Sequence, residues 1–339
     1  MNTSHYMVRL TPLGSYFFGG EITFGEEGKQ NYYVMSSLLP QVSSLIGLMR
    51  YEILRQNNLL SYNKDSETLS KVKGLIGEKS FSIDNTSIES YGIIKKISPV
   101  FIECKKEKAF YTPKPLDYGI DIKLSDDIEC SFSSSCLQKQ GVIMNGYDPK
   151  EYNTYQYWIN GKLKDKKVEE IFYQNEQIGI TKNGRNENES DAFFKIISAG
   201  LKKEYNFAFK LETFQEINEV TDEIVFLGGN RSAFMMNIEK TETNDTYFED
   251  YFKALHKDGR FLLLSDTYFT DKERDAFPFI WGTSLNNRYI ITESQNGHNW
   301  KRPQKSDLFH LFARGGIVYT DVKPEAAPYL NNVGLNIFI

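Results

Sequence analysis

The chain has 339 residues, enough for one large or two medium domains with real cores, and its 14 % aromatic content favours strands. Forty Lys and Arg against 45 Asp and Glu leave a net charge of −5, which argues against holding nucleic acid by bulk charge but allows a local basic groove, or one shared with partner subunits. No apolar run reaches the ~18 residues of a membrane span, and the opening MNTSHYMVRL lacks the basic-then-apolar order of a signal peptide, so no membrane contact is expected.

In chain order, His5–Pro12 alternates and reads as a first strand ahead of Gly14. Phe17-Phe18-Gly19-Gly20 reads as a turn or edge, followed by a polar, glycine-bearing loop to Asn31. Leu38–Arg50 reads as a helix: Val42, Leu45, Ile46, Met49 and then Ile53 recur at three- and four-residue spacing. Pro40 lies near its start, where a missing amide hydrogen costs nothing. Asn57–Thr86 is polar, a surface helix or a connection. From Tyr91 to about Glu176 the pattern is irregular and too long for a simple loop, so it reads as an inserted lobe with strands of its own.

Gln177–Thr181 and Phe193–Ile197 form a hairpin around the polar turn Lys182–Asp191. Tyr205, Phe207, Phe209 and Leu211 alternate as the clearest half-buried strand. Glu216–Phe226 reads as a helix ended by Gly228 and Gly229, and Tyr247–His256 as another. Arg260–Ser265, Tyr289–Thr292, Ile317–Val322 and Leu335–Ile339 read as strands. Strand, helix, hairpin, helix and glycine-rich turn, then a strand-rich second half, fit two ferredoxin-like α+β units.

The residues that could carry chemistry are few. Opposite the apolar stripe of the first helix lie Ser43, Gly47 and Arg50, hydroxyl, bare backbone and cation on one face, which suits a phosphate chain. Gly47 costs a helix roughly 1 kcal/mol against Ala, so something is expected to pack against the backbone there; an ordinary amphipathic helix explains the segment equally well. Phe226-Leu-Gly-Gly-Asn-Arg-Ser-Ala-Phe234 joins two glycines to Arg231 and Ser232, and glycine amides can form an anion nest. A plain helix C-cap accounts for the same glycines. Lys182 and Arg185 sit on the hairpin turn, where Asn183-Gly184 is ordinary turn chemistry and nearby carboxylates dilute the charge. Trp300 beside Lys301 and Arg302 joins stacking to charge, as single-strand binders do, or anchors a loop to the core. Phe312-Ala-Arg314-Gly315-Gly316 is a further basic glycine turn. The lysine clusters at 105–108 and 162–167 read as solvated surface.

The four histidines show no metal-ligand spacing, and no nucleophile motif is present, so no metal or cofactor is expected. Cys104, Cys130 and Cys136 form neither a metal-ligand pair nor an even framework, which suits a reducing cytoplasm.

Five segments occur in a telling order: YMVRLTPLGSYFFGGE, YYVMSSLLPQVSSLIGLMRYEIL, QIGITKNGR…DAFFKI, FLGGNRSAFMM and RGGIVY. Together they resemble the third Cmr subunit of type III-B CRISPR effector complexes, a RAMP protein of the group that caps the 5′ end of the CRISPR RNA. The likeness spans most of the chain, leaving out roughly 57–90 and 105–170. It implies an α+β chain of two tandem ferredoxin-like (RRM-like) RAMP domains with a glycine-rich loop and an inserted hairpin lobe. The first would cover residues 1–245, with the lobe at about 91–176, and the second residues 246–339.

The resemblance also implies a non-catalytic, antiviral role. The chain would hold the repeat-derived 5′ handle of the CRISPR RNA beside the large polymerase- or cyclase-like subunit and the first backbone RAMP subunit, meeting target RNA only indirectly. By position, Ser43, Ser44, Gly47 and Arg50 would face the handle, and Gly228, Gly229, Asn230, Arg231 and Ser232 would form the glycine-rich loop. Asn230 stands where an acidic residue is commoner. Lys182 and Arg185 would match the loop after the Gly-Ile strand; Lys301, Arg302, Arg314, Gly315 and Gly316 complete the expected RNA-binding set.

Two other readings stay open at this level. A RAMP endoribonuclease cutting the repeat without metal would need a general base, and only His298 or His310 lies near a basic turn. The equivalent subunit of a type III-A complex would differ only in its company.

Overall fold

The first alternation of the chain becomes the middle of the largest sheet. The computed structural model describes residues 3–19, 33–60, 65–78, 81–83, 91–125, 141–147, 154–159, 162–182, 188–229, 231–242, 255–291, 304–324 and 328–339. Its strands run β1 Ser4–Pro12, β2 Tyr33–Met35, β3 Ile94–Ile97, β4 Phe101–Cys104, β5 Ala109–Pro113, β6 Asp121–Ser125, β7 Gly141–Asn145, β8 Thr154–Ile159 and β9 Lys162–Lys167. They continue as β10 Phe172–Lys182, β11 Asn188–Leu201, β12 Tyr205–Thr213, β13 Val220–Phe226 and β14 Ala233–Thr241. A nine-stranded sheet forms in the order β13-β14-β1-β12-β4-β5-β8-β9, with β3 also paired to β12. Every pair in it is antiparallel.

One face of this sheet is apolar by alternation. Tyr6, Val8 and Leu10 of β1 share it with Phe207, Phe209 and Leu211 of β12 and Phe234, Met236 and Ile238 of β14. Against it packs helix α1, Val42–Gln56, through Val42, Leu45, Ile46, Met49 and Ile53. The expected stripe is therefore the core stripe, but the helix starts four residues later than read and runs to Gln56. Pro40 disfavours helical backbone at Leu39, and Ile53 prolongs the apolar face past Arg50. The fully buried Glu52 is held by Arg55 at 2.7 and 2.8 Å and by Gln56 at 2.8 Å. Within the polar stretch 57–86, α2 (Ser66–Ile76) lies beside α1, capped by Asp65, whose carboxylate accepts the Thr68 amide at 2.8 Å.

Two expectations change. Glu216–Phe226 is not a helix: Val220–Phe226 is the edge strand β13. Its β-branched and aromatic residues alternate, Val225 inward and Ile224 and Phe226 outward, and period two wins over the glycine pair read as a helix end. The segment read as an inserted lobe contributes β3, β4, β5, β8 and β9 directly to the main sheet, while β6 and β7 pair apart.

β10 and β11 extend well beyond the short strands expected, pairing from Phe172↔Leu201 to Lys182↔Asn188, and β2 joins β11 in parallel. Of the proposed helix Tyr247–His256, residues 247–254 lie outside the described residues.

The second half is built of short pieces: β15 Arg260–Leu262, β16 Phe279–Trp281, β17 Ser284–Asn287, β18 Ile290–Ile291, β19 Gln304–Lys305, β20 Phe309–Phe312 and β21 Ile317–Tyr319. They make the sheet β15-β21-β16 and the pairs β17-β20 and β18-β19. Leu335–Ile339, read as a strand, forms none; it bonds by backbone to Leu262 and Leu264 at 2.8 Å, after a one-turn helix Pro328–Asn332. One buried ion pair and one buried arginine-to-carbonyl bond join this half to the first. Arg260 grips Asp117, which also accepts the Tyr319 hydroxyl at 2.7 Å. Arg314 bonds Asp266 at 3.3 Å and the Val100 carbonyl at 2.6 Å. No described helix is long and apolar enough to cross a membrane.

Candidate nucleic-acid interface

At Pro12 the first strand stops alternating, and the next residues are tied on three sides. Tyr16 exchanges backbone bonds with Ala199 of β11 at 2.7 and 3.0 Å, and its hydroxyl donates to the Leu38 carbonyl at 2.9 Å. Burial pushes that phenol far above its usual range. Phe18 donates its amide to Ser36 Oγ at 2.9 Å and accepts from Ser37 at 3.0 Å. Phe17 meets the glycine turn: its carbonyl accepts the Gly229 amide at 2.7 Å, and its amide donates to Ser232 Oγ at 3.1 Å.

That turn closes the β13–β14 hairpin, so it follows a strand, not a helix as expected. Leu227 donates to the Ser232 carbonyl at 3.0 Å, and Ser232 Oγ donates to Gly229 at 3.0 Å. Gly228 needs to be glycine for two reasons. Its φ is +81°, and a Cβ there would stand 2.6 Å from the Phe17 carbonyl oxygen. Arg231 also has left-handed backbone, φ +50°, and is exposed.

Between the turn and the Leu13–Phe17 segment opens a cleft of about 350 Å³, with Ser198 on its far wall and Arg231 and Ser232 on the near one. The cleft offers a cation and hydroxyls to an anionic chain, while the bare faces of Gly228 and Gly229 and the Gly229 amide are taken up by the Phe17–Phe18 segment. Leu13, Gly14, Ser15 and Ser198 were not singled out in the sequence. The signal available for the first three was the end of alternation at Pro12 beside a Gly-Ser pair; Ser198 had none.

Of the other expected site residues, those on α1 form a neighbouring surface. Gln41, the residue before α1, donates to the Gly19 carbonyl at 3.3 Å, which sets the helix start beside the same segment. Ser43 and Ser44 are half-buried and Gly47 is exposed; among the described residues nothing lies within 4 Å of where a Gly47 Cβ would be, so none of them is the expected packing partner. The Arg50 guanidinium sits 5.2 Å from the centre of the Tyr91 ring.

The second glycine turn differs. Arg314, expected on the RNA, is 8 % exposed and bonded to Asp266 and Val100. Gly315 and Gly316 press against Lys114, Pro113 and the Trp281 carbonyl. This turn lines a smaller cavity of about 180 Å³ with Lys114 and Tyr155. Burial pushes the Tyr155 phenol up to about 12, although nearby Arg314 works the other way. The structure thus corrects the surface placement of Arg314: its charge is internal to the fold.

Lys182 ends β10, at the tip of the hairpin, but its side chain, Arg185, Asn230, Lys301 and Arg302 lie outside the described residues. So do His298 and Trp300. His310 is exposed, its Nδ1 2.6 Å from Asn286 Oδ1, and it lines neither cleft.

A CRISPR-associated protein family, Cas_Cmr3, matches residues 8–323. The chain belongs to the Cas_Cmr3 family. This Cmr3-family chain also resembles in fold a chain from the cryo-EM structure of the type III-B Cmr-beta complex bound to cognate target RNA. The two share 12 % identity over 99 % of this chain and 96 % of that one, with a TM-score of 0.51. A chain from the same kind of complex with AMPPnP, in state 1, gives 13 % identity, 93 % and 86 % coverage and a TM-score of 0.45. No curated protein matches the chain.

Proposed function

We propose that this Cmr3-family chain is a non-catalytic RNA-binding subunit of a type III-B CRISPR effector complex. It holds the repeat-derived 5′ handle of the CRISPR RNA and bridges the large polymerase-like subunit to the first backbone subunit, in the cytoplasm. The observation that carries this reading is the cleft at the β13–β14 turn, where Arg231, Ser232 and two glycines adjoin the Gly14–Phe17 segment. Such a site suits single-stranded RNA, which is held by phosphate contacts, backbone approach and splayed bases. The strand order β14-β1-β12-β4 supports a ferredoxin-like first half, with an edge strand, β13, where its second helix would stand.

An acidic chain whose groove is basic only locally is expected to bind RNA weakly alone and firmly in its assembly. The test is to purify tagged chain from its host and sequence the bound RNA. Short RNAs sharing one repeat-derived 5′ end, with other CRISPR subunits, are the expected result. Protein without RNA, or RNAs with random ends, would defeat the handle-binding role.

A further inference from the structure

The face of the sheet turned away from α1 carries an exposed apolar row that leads into the glycine turn. Phe226 pairs with Ala233, and Ala233 accepts the Leu13 amide at 3.0 Å, so Phe226, Ala233 and Leu13 lie side by side across β13, β14 and the end of β1. Strand alternation puts the intervening Val225, Phe234 and Pro12 on the opposite face, the core face for Val225 and Phe234. Phe226 is 61 % exposed and Leu13 is 49 % exposed, and Ile224, one step along the edge, is 57 % exposed. An exposed Phe on an edge strand gains nothing for folding, and edge strands usually carry charge there instead.

The surroundings indicate what such a ring meets. Phe226 immediately precedes the turn that presents Arg231, and Leu13 lines the cleft with it. Further along the same face the charges cancel: Arg9 bonds Glu103 at 2.8 Å and Glu239 at 2.7 Å. At the turn end, where the flat apolar surface also lies, Arg231 is exposed. A partner with an anion and an aromatic face one step apart fits both.

Resting on the RNA-binding reading above, we infer that Phe226, backed by Leu13, is the stacking platform for an unpaired base of the single-stranded RNA whose phosphate lies on the Arg231 turn. The phosphate lies against the exposed Arg231 guanidinium, and the base next to that phosphate turns down onto the ring. Stacking of this kind is indifferent to base identity, so it positions the RNA and leaves sequence reading to other groups.

The test uses the full chain and a repeat-derived single-stranded RNA carrying 2-aminopurine at successive positions. Affinity and fluorescence are measured at one fixed salt concentration for Phe226→Ala, Phe226→Leu, Phe226→Trp and Arg231→Ala. Removal of the ring should weaken binding about five- to a hundred-fold. Leu, equally apolar but without a π face, should fail like Ala, while Trp should bind as well as Phe and quench one 2-aminopurine position. Melting temperatures should not change.

If Phe226→Leu or Phe226→Ala binds like the parent while Arg231→Ala is weakened, the stacking role is wrong and the RNA reading stands. If Phe226→Ala leaves RNA binding intact but loses a co-purifying subunit, the row is a protein contact and the inference is overturned. If Arg231→Ala also binds normally, the RNA reading itself falls.

Discussion

Gly228–Ser232 and Arg314–Gly316 are the same chemistry in sequence, glycines beside an arginine, yet the fold leaves one arginine exposed and buries the other. The first closes an edge hairpin, and Arg231 points out next to an open cleft. The second sits where the C-terminal half meets the first, and Arg314 is buried with the Asp266 carboxylate and the Val100 carbonyl. What separates them is the partner set. Arg314 finds a carboxylate and a carbonyl supplied by distant segments, whereas the Arg231 turn is braced by backbone and Ser232 Oγ, which leaves the guanidinium unused in bracing it. A glycine next to an arginine thus leaves the cation free for a ligand only where something else holds the turn in shape.

The largest expected effect breaks the buried turn. Arg314→Ala leaves the Val100 carbonyl without its partner and Asp266 with only the residue-314 amide, and should cost about 3 kcal/mol of stability, the low end for a broken buried pair because Asp266 is partly exposed. Denaturant unfolding reads it, and the fraction that remains folded should bind RNA like the parent. If RNA affinity falls while stability holds, the two turns do the same work and the contrast drawn above is false. Arg231→Ala should do the reverse. It should lose about 1–3 kcal/mol of RNA affinity, as for a charged hydrogen bond, with unfolding unchanged to within about 0.5 kcal/mol. It should also flatten the dependence of log affinity on log salt by about 0.7, the share of one phosphate contact on a single strand.

The sequence made the first turn legible and misread the second for a definite reason. A run such as Phe226–Phe234 carries local signals, two glycines and a Ser three residues after them, that predict a turn whatever surrounds it. The partners of Arg314 are 48 and 214 residues away, and no local pattern announces them. The same division holds for the fold. The stripe Val42–Ile53 and the alternation of Tyr205–Leu211 are periodic and came out as core helix and core strand. β13 was misread because its short period-two pattern is interrupted by Asp222 and Glu223, the latter opposite Met236 after a register shift. The cleft wall at Ser198 was invisible, since it exists only because β11 lies beside Tyr16.

Gly228→Ala sharpens the contrast from the backbone side. It places a Cβ at positive φ and 2.6 Å from the Phe17 oxygen, so the turn must deform, at about 1–2 kcal/mol for the left-handed backbone alone. Hydrogen exchange at Gly229, whose amide bonds Phe17, should rise, and RNA affinity should drop even with Arg231 intact. Unchanged affinity would mean that the cation acts without the shape of the turn.

The smallest effect is the most diagnostic for α1. Gly47 is exposed and mid-helix, with open space where a Cβ would go. In the free chain Gly47→Ala should therefore stabilise by about 0.4–1 kcal/mol, through helix propensity and a less flexible unfolded state. A helix that forgoes this gain keeps its backbone bare for a close neighbour, and among the described residues there is none at that point. If RNA lies on α1, the added methyl group should raise the melting temperature of the free chain and at the same time weaken RNA binding. Should the variant be more stable and bind RNA as before, the handle does not reach Gly47. The RNA site would then be confined to the Arg231 turn and the cleft beside it.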